Sequence, residues 1–254
     1  MTAMPSDTTE MAIPDYATDD GVERVLVIVA HPDDIDFSTA GSVATWTRAG
    51  VDVTYLLVTS GDAGGSDREQ SRSDMAAMRE GEQEAAAKVV GVEDVRFLRY
   101  PDGRIESTLE LRCDLSRVMR HVRPQRVVTQ SPDRLYDRIY ASHPDHLATG
   151  DAAIAAVYPD SRNPFAHTAL LADQGLEPWS IPQLWIMARP DPNVFVDITE
   201  VIDAKLEALC SHTSQIADPA GIERLLRDWA AANAKMAGLP EGRYAELFRS
   251  VDTK

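Results

Sequence analysis

Two short stretches hold the side chains best suited to chemistry. His31-Pro32-Asp33-Asp34 and His143-Pro144-Asp145-His146 each bring imidazole and carboxylate groups together. That mixture suits Zn²⁺ and related divalent ions, with Fe²⁺ or Co²⁺ as alternatives, because a His₂Asp donor set does not select strongly among them. His31 and Asp34 lie three residues apart across a turn and can point the same way, and His146 can add a third ligand from the other stretch. Three protein ligands leave a position for water, the arrangement of a catalytic rather than a structural metal site. Asp33 and His143 remain. They are the types needed beside an activated water: a base for its proton, and a partner for a developing oxyanion or leaving amine. The competing explanation is helix capping, since an Asp before a helix is commonly an N-cap and a His-x-x-His can sit on a solvated helix start. Joint placement favours chemistry, because both stretches fall at the ends of predicted strands.

Those strands follow from the pattern of apolar residues. Val25–Ala30 is a continuous apolar, mostly β-branched run, the mark of a central strand buried on both faces. Val51–Val58, Val95–Leu98, Arg126–Gln130, Gln183–Met187 and Val194–Ile198 read as further strands. Helical patterns lie between and after them at Gly41–Ala49, Glu69–Val90, Ser107–Val122, His146–Val157, Glu200–His212 and Gly221–Met236. Residues 159–182, with Pro159, Pro164, Pro178 and Pro182, read as a long, loosely ordered connection. Strands alternating with helices predict an α/β, Rossmann-like three-layer fold: a mostly parallel sheet covered by helices on both faces. Sites in such sheets form at the carboxyl ends of strands near the point where the strand order reverses, so the segments after the first and fourth strands are the natural pair to meet. Dinucleotide or phosphate binding is excluded at that place. It needs a glycine-rich turn with amides facing an anion, and Asp33 and Asp34 would repel one.

Composition narrows the partners. The 254 residues carry 41 acidic and 25 basic side chains, a formal net charge of −16, which argues against nucleic acid or an anionic membrane surface as a partner. No apolar run reaches the roughly 18 residues of a membrane span. Cys113 and Cys210 form no metal or disulfide pattern and suit a reducing compartment, so a cytoplasmic location is expected. Residues 1–20 hold five acids and no Lys or Arg, unlike a secretory signal, and read as a flexible acidic tail or a strap over the surface. Residues 21–254 then form a single domain, and a homo-oligomer stays open.

The two motifs, Ala30-His31-Pro32-Asp33-Asp34 and His143-Pro144-Asp145-His146, resemble those of the LmbE-like, or PIG-L, family of zinc-dependent N-deacetylases. Softer similarities are Arg79-Glu80-Gly81-Glu82, the turn Tyr100-Pro101-Asp102-Gly103, and Lys205 with His212-Thr213-Ser214-Gln215, so the resemblance covers roughly residues 23–250. It implies removal of an N-acetyl or other N-acyl group from an amino sugar, such as an N-acetylglucosamine derivative, or a glycoside. Zinc would be held by His31, Asp34 and His146. Asp33 would be the general base on the zinc-bound water. His143 would stabilise the oxyanion, with Asp145 nearby as an orienting carboxylate. Arg79 and Asp102 fall where members contact the sugar, with a helix salt bridge to Glu82 and a plain Pro-Asp-Gly turn as the alternatives. His212 comes near the site on resemblance alone. His121 and His167 read as structural and surface residues, and the tryptophans as packing, with Trp179 the one worth watching as a sugar platform. Ala141, where mycothiol-branch members carry tyrosine, and Asp62-Ala63-Gly64-Gly65, in place of their acidic stretch, argue against that branch. An amidase acting on a thiol conjugate or other non-sugar amide is the alternative activity.

Overall fold

The computed structural model describes residues 13–254 apart from Ser66 and Arg68. Its strands are β1 (Asp15–Tyr16), β2 (Arg24–Val29), β3 (Asp52–Thr59), β4 (Asp94–Tyr100), β5 (Arg126–Thr129), β6 (Gln183–Ile186), β7 (Val194–Asp197) and β8 (Ala245–Asp252). Its helices are α1 (Asp34–Ser38), α2 (Ala40–Arg48), α3 (Arg72–Val89), α4 (Leu109–Val122), α5 (Pro144–Ala155), α6 (Thr168–Ala172), α7 (Ile202–Cys210) and α8 (Pro219–Met236). The sheet order is β1-β7-β8-β6-β5-β2-β3-β4. The central strands pair in parallel, and β8 runs antiparallel to both β6 and β7.

The unbroken apolar run of β2 is explained by its place in the middle of this sheet. Val25, Val27 and Val29 face one core, shared with α2, α3, α7 and α8. Leu26, Ile28 and Ala30 face the other, shared with α4 and α5. All six are fully buried, so a polar residue on either side would lie in a core. The expected three-layer architecture is present.

Several local expectations are corrected. The predicted helix at Gly41–Ala49 is present as α2, and a short helix not expected, α1, precedes it across a break at Thr39. The helix predicted from Glu69 begins at Arg72, because the Ser71 hydroxyl caps it by accepting from the Asp74 amide. The connection at 159–182 contains α6. β8 was missed: its Glu246, Arg249 and Ser250 break an apolar pattern, and Glu246 is buried by pairing with Lys205 at 2.5 Å. Of the expected flexible tail, residues 1–12 lie outside the described residues. The rest is tied down, since Asp15 and Tyr16 pair with β7 and Asp19 meets the buried Arg126 at 2.6 Å. No helix of the described residues is long and apolar enough to cross a membrane.

Candidate active site

β2 and β5 are parallel neighbours, and the chain reverses its strand order around them, so their carboxyl ends open onto one place. Gln130, just beyond β5, ties the two ends together by accepting from the Ala30 amide at 3.0 Å. His31–Asp34 leaves β2 and enters α1. From β5 the chain passes a 3-10 stretch, Tyr136–Ser142, and reaches His143, which caps α5 by accepting from the Asp145 amide through Nδ1 at 3.2 Å. Pro144 opens that helix, where its missing N–H costs nothing. His143 thus stands at a helix start as its N-cap, a place compatible with chemistry. With Nδ1 accepting, the proton of a neutral ring sits on Nε2.

Three side chains converge. His31 Nδ1 lies 3.3 Å from His146 Nε2 and 3.4 Å from Asp34 Oδ2, and Asp34 Oδ1 lies 3.0 Å from His146 Nε2. Tetrahedral bonds of about 2.0–2.1 Å set ligand atoms about 3.3 Å apart, so these spacings fit a zinc-sized ion. The far sides of the rings are also held. His31 Nε2 faces Asp145 Oδ2 and Asp102 Oδ1, each at 3.2 Å, and the backbone at Ala141 stands beside the His146 ring. Carboxylate or carbonyl partners behind metal-binding imidazoles fix the tautomer and the ring plane. The same groups pair strongly with one another. Burial lowers the His31 pKa, but Asp102, Asp145 and Asp34 outweigh it and hold the ring up at about 12. Burial pushes Asp34 up, yet His146 and His31 hold it well below the usual carboxylate range.

Asp33 is a special position. Its φ of 80° is left-handed, which a non-glycine residue adopts only when its surroundings enforce it. Helix α3 does the enforcing. Gln83 Oε1 accepts from the Asp33 amide at 2.9 Å, and Arg79 donates to the Pro32 carbonyl at 2.7 Å and to Asp33 Oδ2 at 3.1 Å. Burial and the neighbouring Asp34 carboxylate raise the Asp33 pKa, against the pull of Arg79, to about 7. The Arg79 guanidinium is roofed by glycines: a Cβ at Gly61 would lie 2.3 Å from it and one at Gly64 2.2 Å.

These positions revise some expected roles. Arg79 is 4% exposed and lies behind Asp33, not on an open sugar-facing surface, and its carboxylate partner is Asp33, not Glu82. Glu82 instead accepts from Thr213 and Ser214. Asp145 orients His31, not His143, and also accepts from the Gly103 and Ile105 amides. Asp102 is brought to the site, but onto His31 Nε2 and the Ala63 amide. His212 is fully buried on Asp36 Oδ2 at 2.8 Å, three hydrogen bonds from Asp33. Gln83 and Gln130 were missed. Gln83 follows Arg79 by four residues on one helix, a spacing that could have singled it out. Trp179 donates to the Pro124 carbonyl and packs at the second core. His167 holds Asp160 at 3.1 Å, and His121 ends α4.

A mostly parallel α/β sheet that closes two imidazoles and a carboxylate around one point, with a half-buried carboxylate alongside, defines an enzyme-like protein with a site that could hold a metal ion. The chain belongs to the PIG-L family: the model of that family, GlcNAc-PI de-N-acetylase, matches residues 26–157. It is 35% identical to the diacetylchitobiose deacetylase of Thermococcus kodakarensis over 91% of this chain and 84% of that one. It is 31% identical to a probable N-acetyl-alpha-D-glucosaminyl L-malate deacetylase 2 of Bacillus anthracis, covering 76% of this chain and 82% of the relative. Among solved structures, the N,N'-diacetylchitobiose deacetylase of Pyrococcus horikoshii superposes with a TM-score of 0.84 at 33% identity, over 92% of this chain and 85% of that one.

Proposed function

We propose that this protein is a metal-dependent hydrolase that removes an N-acetyl group from an amino sugar or glycoside, with His31, Asp34 and His146 holding Zn²⁺. The observation that carries the reading is the spacing of 3.0–3.4 Å among those three donors, with the Asp33 carboxylate on the residue next to Asp34. Membership of a family of de-N-acetylases supports the choice of acyl group and substrate class. The metal, when bound, supplies a Lewis acid that polarises the acyl carbonyl and acidifies the attacking water. Asp33 takes that water's proton. Its raised pKa makes it a stronger base than an ordinary carboxylate while leaving it available near neutral pH. His143 offers Nε2–H to the oxyanion that develops on the acyl carbonyl oxygen as the water attacks the carbon. Burial, and then the neighbouring His31 and His146, keep its pKa low, so the ring is a neutral donor. Collapse of the oxyanion breaks the C–N bond, and the amine leaves with the proton that Asp33 took from the water, which regenerates the base. The products are the free amino sugar and acetate.

The test is direct. Zinc-loaded protein is incubated with N-acetylglucosamine, diacetylchitobiose and N-acetylglucosaminides, and both amine and acetate are measured. Equal release of the two, lost in Asp33→Asn, supports the reading. Protein that binds about one zinc per chain but frees no amine from any of them overturns it.

A further inference from the structure

Three buried polar side chains lie behind Asp33, away from the metal donors. Gln83, Asp36 and His212 are each 0% exposed. They come from α3, from α1 and from the turn after α7, the last 176 residues distant from Asp36 in sequence. Leucines would fill such positions without burying polar groups, which cost free energy unless paired, and here the cost is partly unmet, since Asp36 Oδ1 and His212 Nδ1 have no partner. The pairing here runs in one direction. His212 Nε2–H donates to Asp36 Oδ2 at 2.8 Å. Gln83 Nε2 donates to the same oxygen at 2.9 Å, and Gln83 Oε1 accepts from the Asp33 amide at 2.9 Å.

The polarity explains why those residue types are needed. A carboxylate accepts only, so Asp36 forces the amino end of Gln83 toward itself. The carbonyl end of Gln83 must then face Asp33. A side chain of either polarity at position 83 without Asp36 could flip, and its amino group would then oppose the Asp33 N–H. The backbone needs this restraint, because Asp33 sits at φ 80°. Relaxation of that dihedral would swing the carboxylate away from the donor cluster.

We propose that Gln83, Asp36 and His212 form a positioning chain for Asp33, holding the backbone of the proton-accepting residue in its left-handed conformation through hydrogen bonds of one polarity. The chain touches neither substrate nor metal. It rests on the deacetylase reading only in that Asp33 is taken as the base.

The test uses the zinc-loaded, full-length protein. Gln83→Met keeps the length and removes both bonds. It is expected to lower kcat about 10- to 100-fold, with KM within about twofold of the wild type, because misplacing a reacting group costs turnover more than binding. Zinc content is expected to stay at the wild-type level, and hydrogen exchange of the Asp33 amide to speed up. Gln83→Glu sets a carboxylate against Asp36 and is expected to be impaired as well. Adding Asp36→Asn restores a donor opposite it at constant net charge. His212 then accepts through its other tautomer, since its Nδ1 has no partner to lose. Recovery of most of the kcat in the Gln83→Glu/Asp36→Asn pair therefore supports the chain even if Gln83→Met does not fold. A folded Gln83→Met with kcat within about twofold of the wild type, unchanged Asp33 exchange, or a double variant no better than Gln83→Glu overturns it. A wild type without deacetylase activity instead overturns the proposed function, and leaves the exchange measurement to judge the chain.

Discussion

Asp145→Asn tests how much of the proposed metal site lies outside the proposed ligands. Asp145 is 1% exposed and faces three donors: His31 Nε2 at 3.2 Å, the Gly103 amide at 2.7 Å and the Ile105 amide at 3.3 Å. Oδ2 serves the first two and Oδ1 the third. An asparagine whose oxygen takes the Oδ2 position keeps two bonds but makes them neutral, and turns its amino group against the Ile105 N–H. Bonds to a charged group are worth about 1.5–3 kcal/mol and neutral ones about 0.5–1.5, so each retained bond weakens by about 1 kcal/mol. Only the bond to His31 bears directly on the metal. Its weakening, with some loss of ring orientation, predicts zinc binding about 10- to 30-fold weaker, at 1.4 kcal/mol per tenfold. Asp102 Oδ1 stands at the same 3.2 Å from His31 Nε2 and takes over part of the role. The double variant with Asp102→Asn is therefore expected to lose more affinity than the two single losses combined. The assay is competition for zinc against a chromophoric chelator at fixed pH, with circular dichroism to confirm the fold. A zinc affinity within about twofold of the wild type would refute the reasoning. Asp145 would then serve only to tether the turn at residues 102–105.

Three other expectations complete the picture. His31→Ala is expected to lose stoichiometric zinc, whereas Asp33→Asn keeps it and loses about 10²-fold or more in kcat, as removal of a general base does; metal analysis beside kinetics checks both, and an active Asp33→Asn moves the base elsewhere. Gly64→Ala would place a methyl 2.2 Å from the Arg79 guanidinium, a clash of overpacking worth about 1–3 kcal/mol. Urea unfolding measures it, and prior truncation of Arg79 should remove most of the effect if that contact is the cause. Asp160 is pushed up by burial but held below 3.8, net, by Arg112 and His167. A depressed carboxylate contributes stability in full above its unfolded value of 3.8 and loses it as pH falls through the lower folded value. The stability gap between wild type and Asp160→Asn should therefore be widest above about pH 5 and close below 3.8; a gap unchanged down to pH 3 in thermal melts would contradict this.

Much of the site could be read before any coordinates, because its key residues are tied to local pattern. An apolar run with no polar face must be a central strand, and whatever follows it must emerge at the sheet's carboxyl edge. Val25–Ala30 therefore delivers His31, Asp33 and Asp34, and Arg126–Gln130 delivers His143 and His146, whatever the details of the rest. The same reasoning predicted the parallel α/β sheet. It failed at β8, whose Glu246 is buried only because Lys205 and the start of α2 satisfy it. It also failed at residues 13–20, whose strand exists only because β7 offers an edge.

What the sequence determined by itself is the inventory: which imidazoles and carboxylates stand at strand ends, and the order of strands and helices that brings those ends together. What only the tertiary structure decided is the assignment of partners among chemically similar groups. Asp102 and Asp145 could each have faced substrate, His143 or solvent; packing turns both onto His31. Arg79 could have reached outward, but the glycines at 61 and 64 close over it and leave it Asp33. Gln83, Asp36 and His212 show no common pattern in the sequence, since they meet only where α3, α1 and the end of α7 pack together. Local periodicity records the face on which a side chain lies. Its hydrogen-bond partner is set by distances between elements far apart in the chain, and those exist only once the chain has folded.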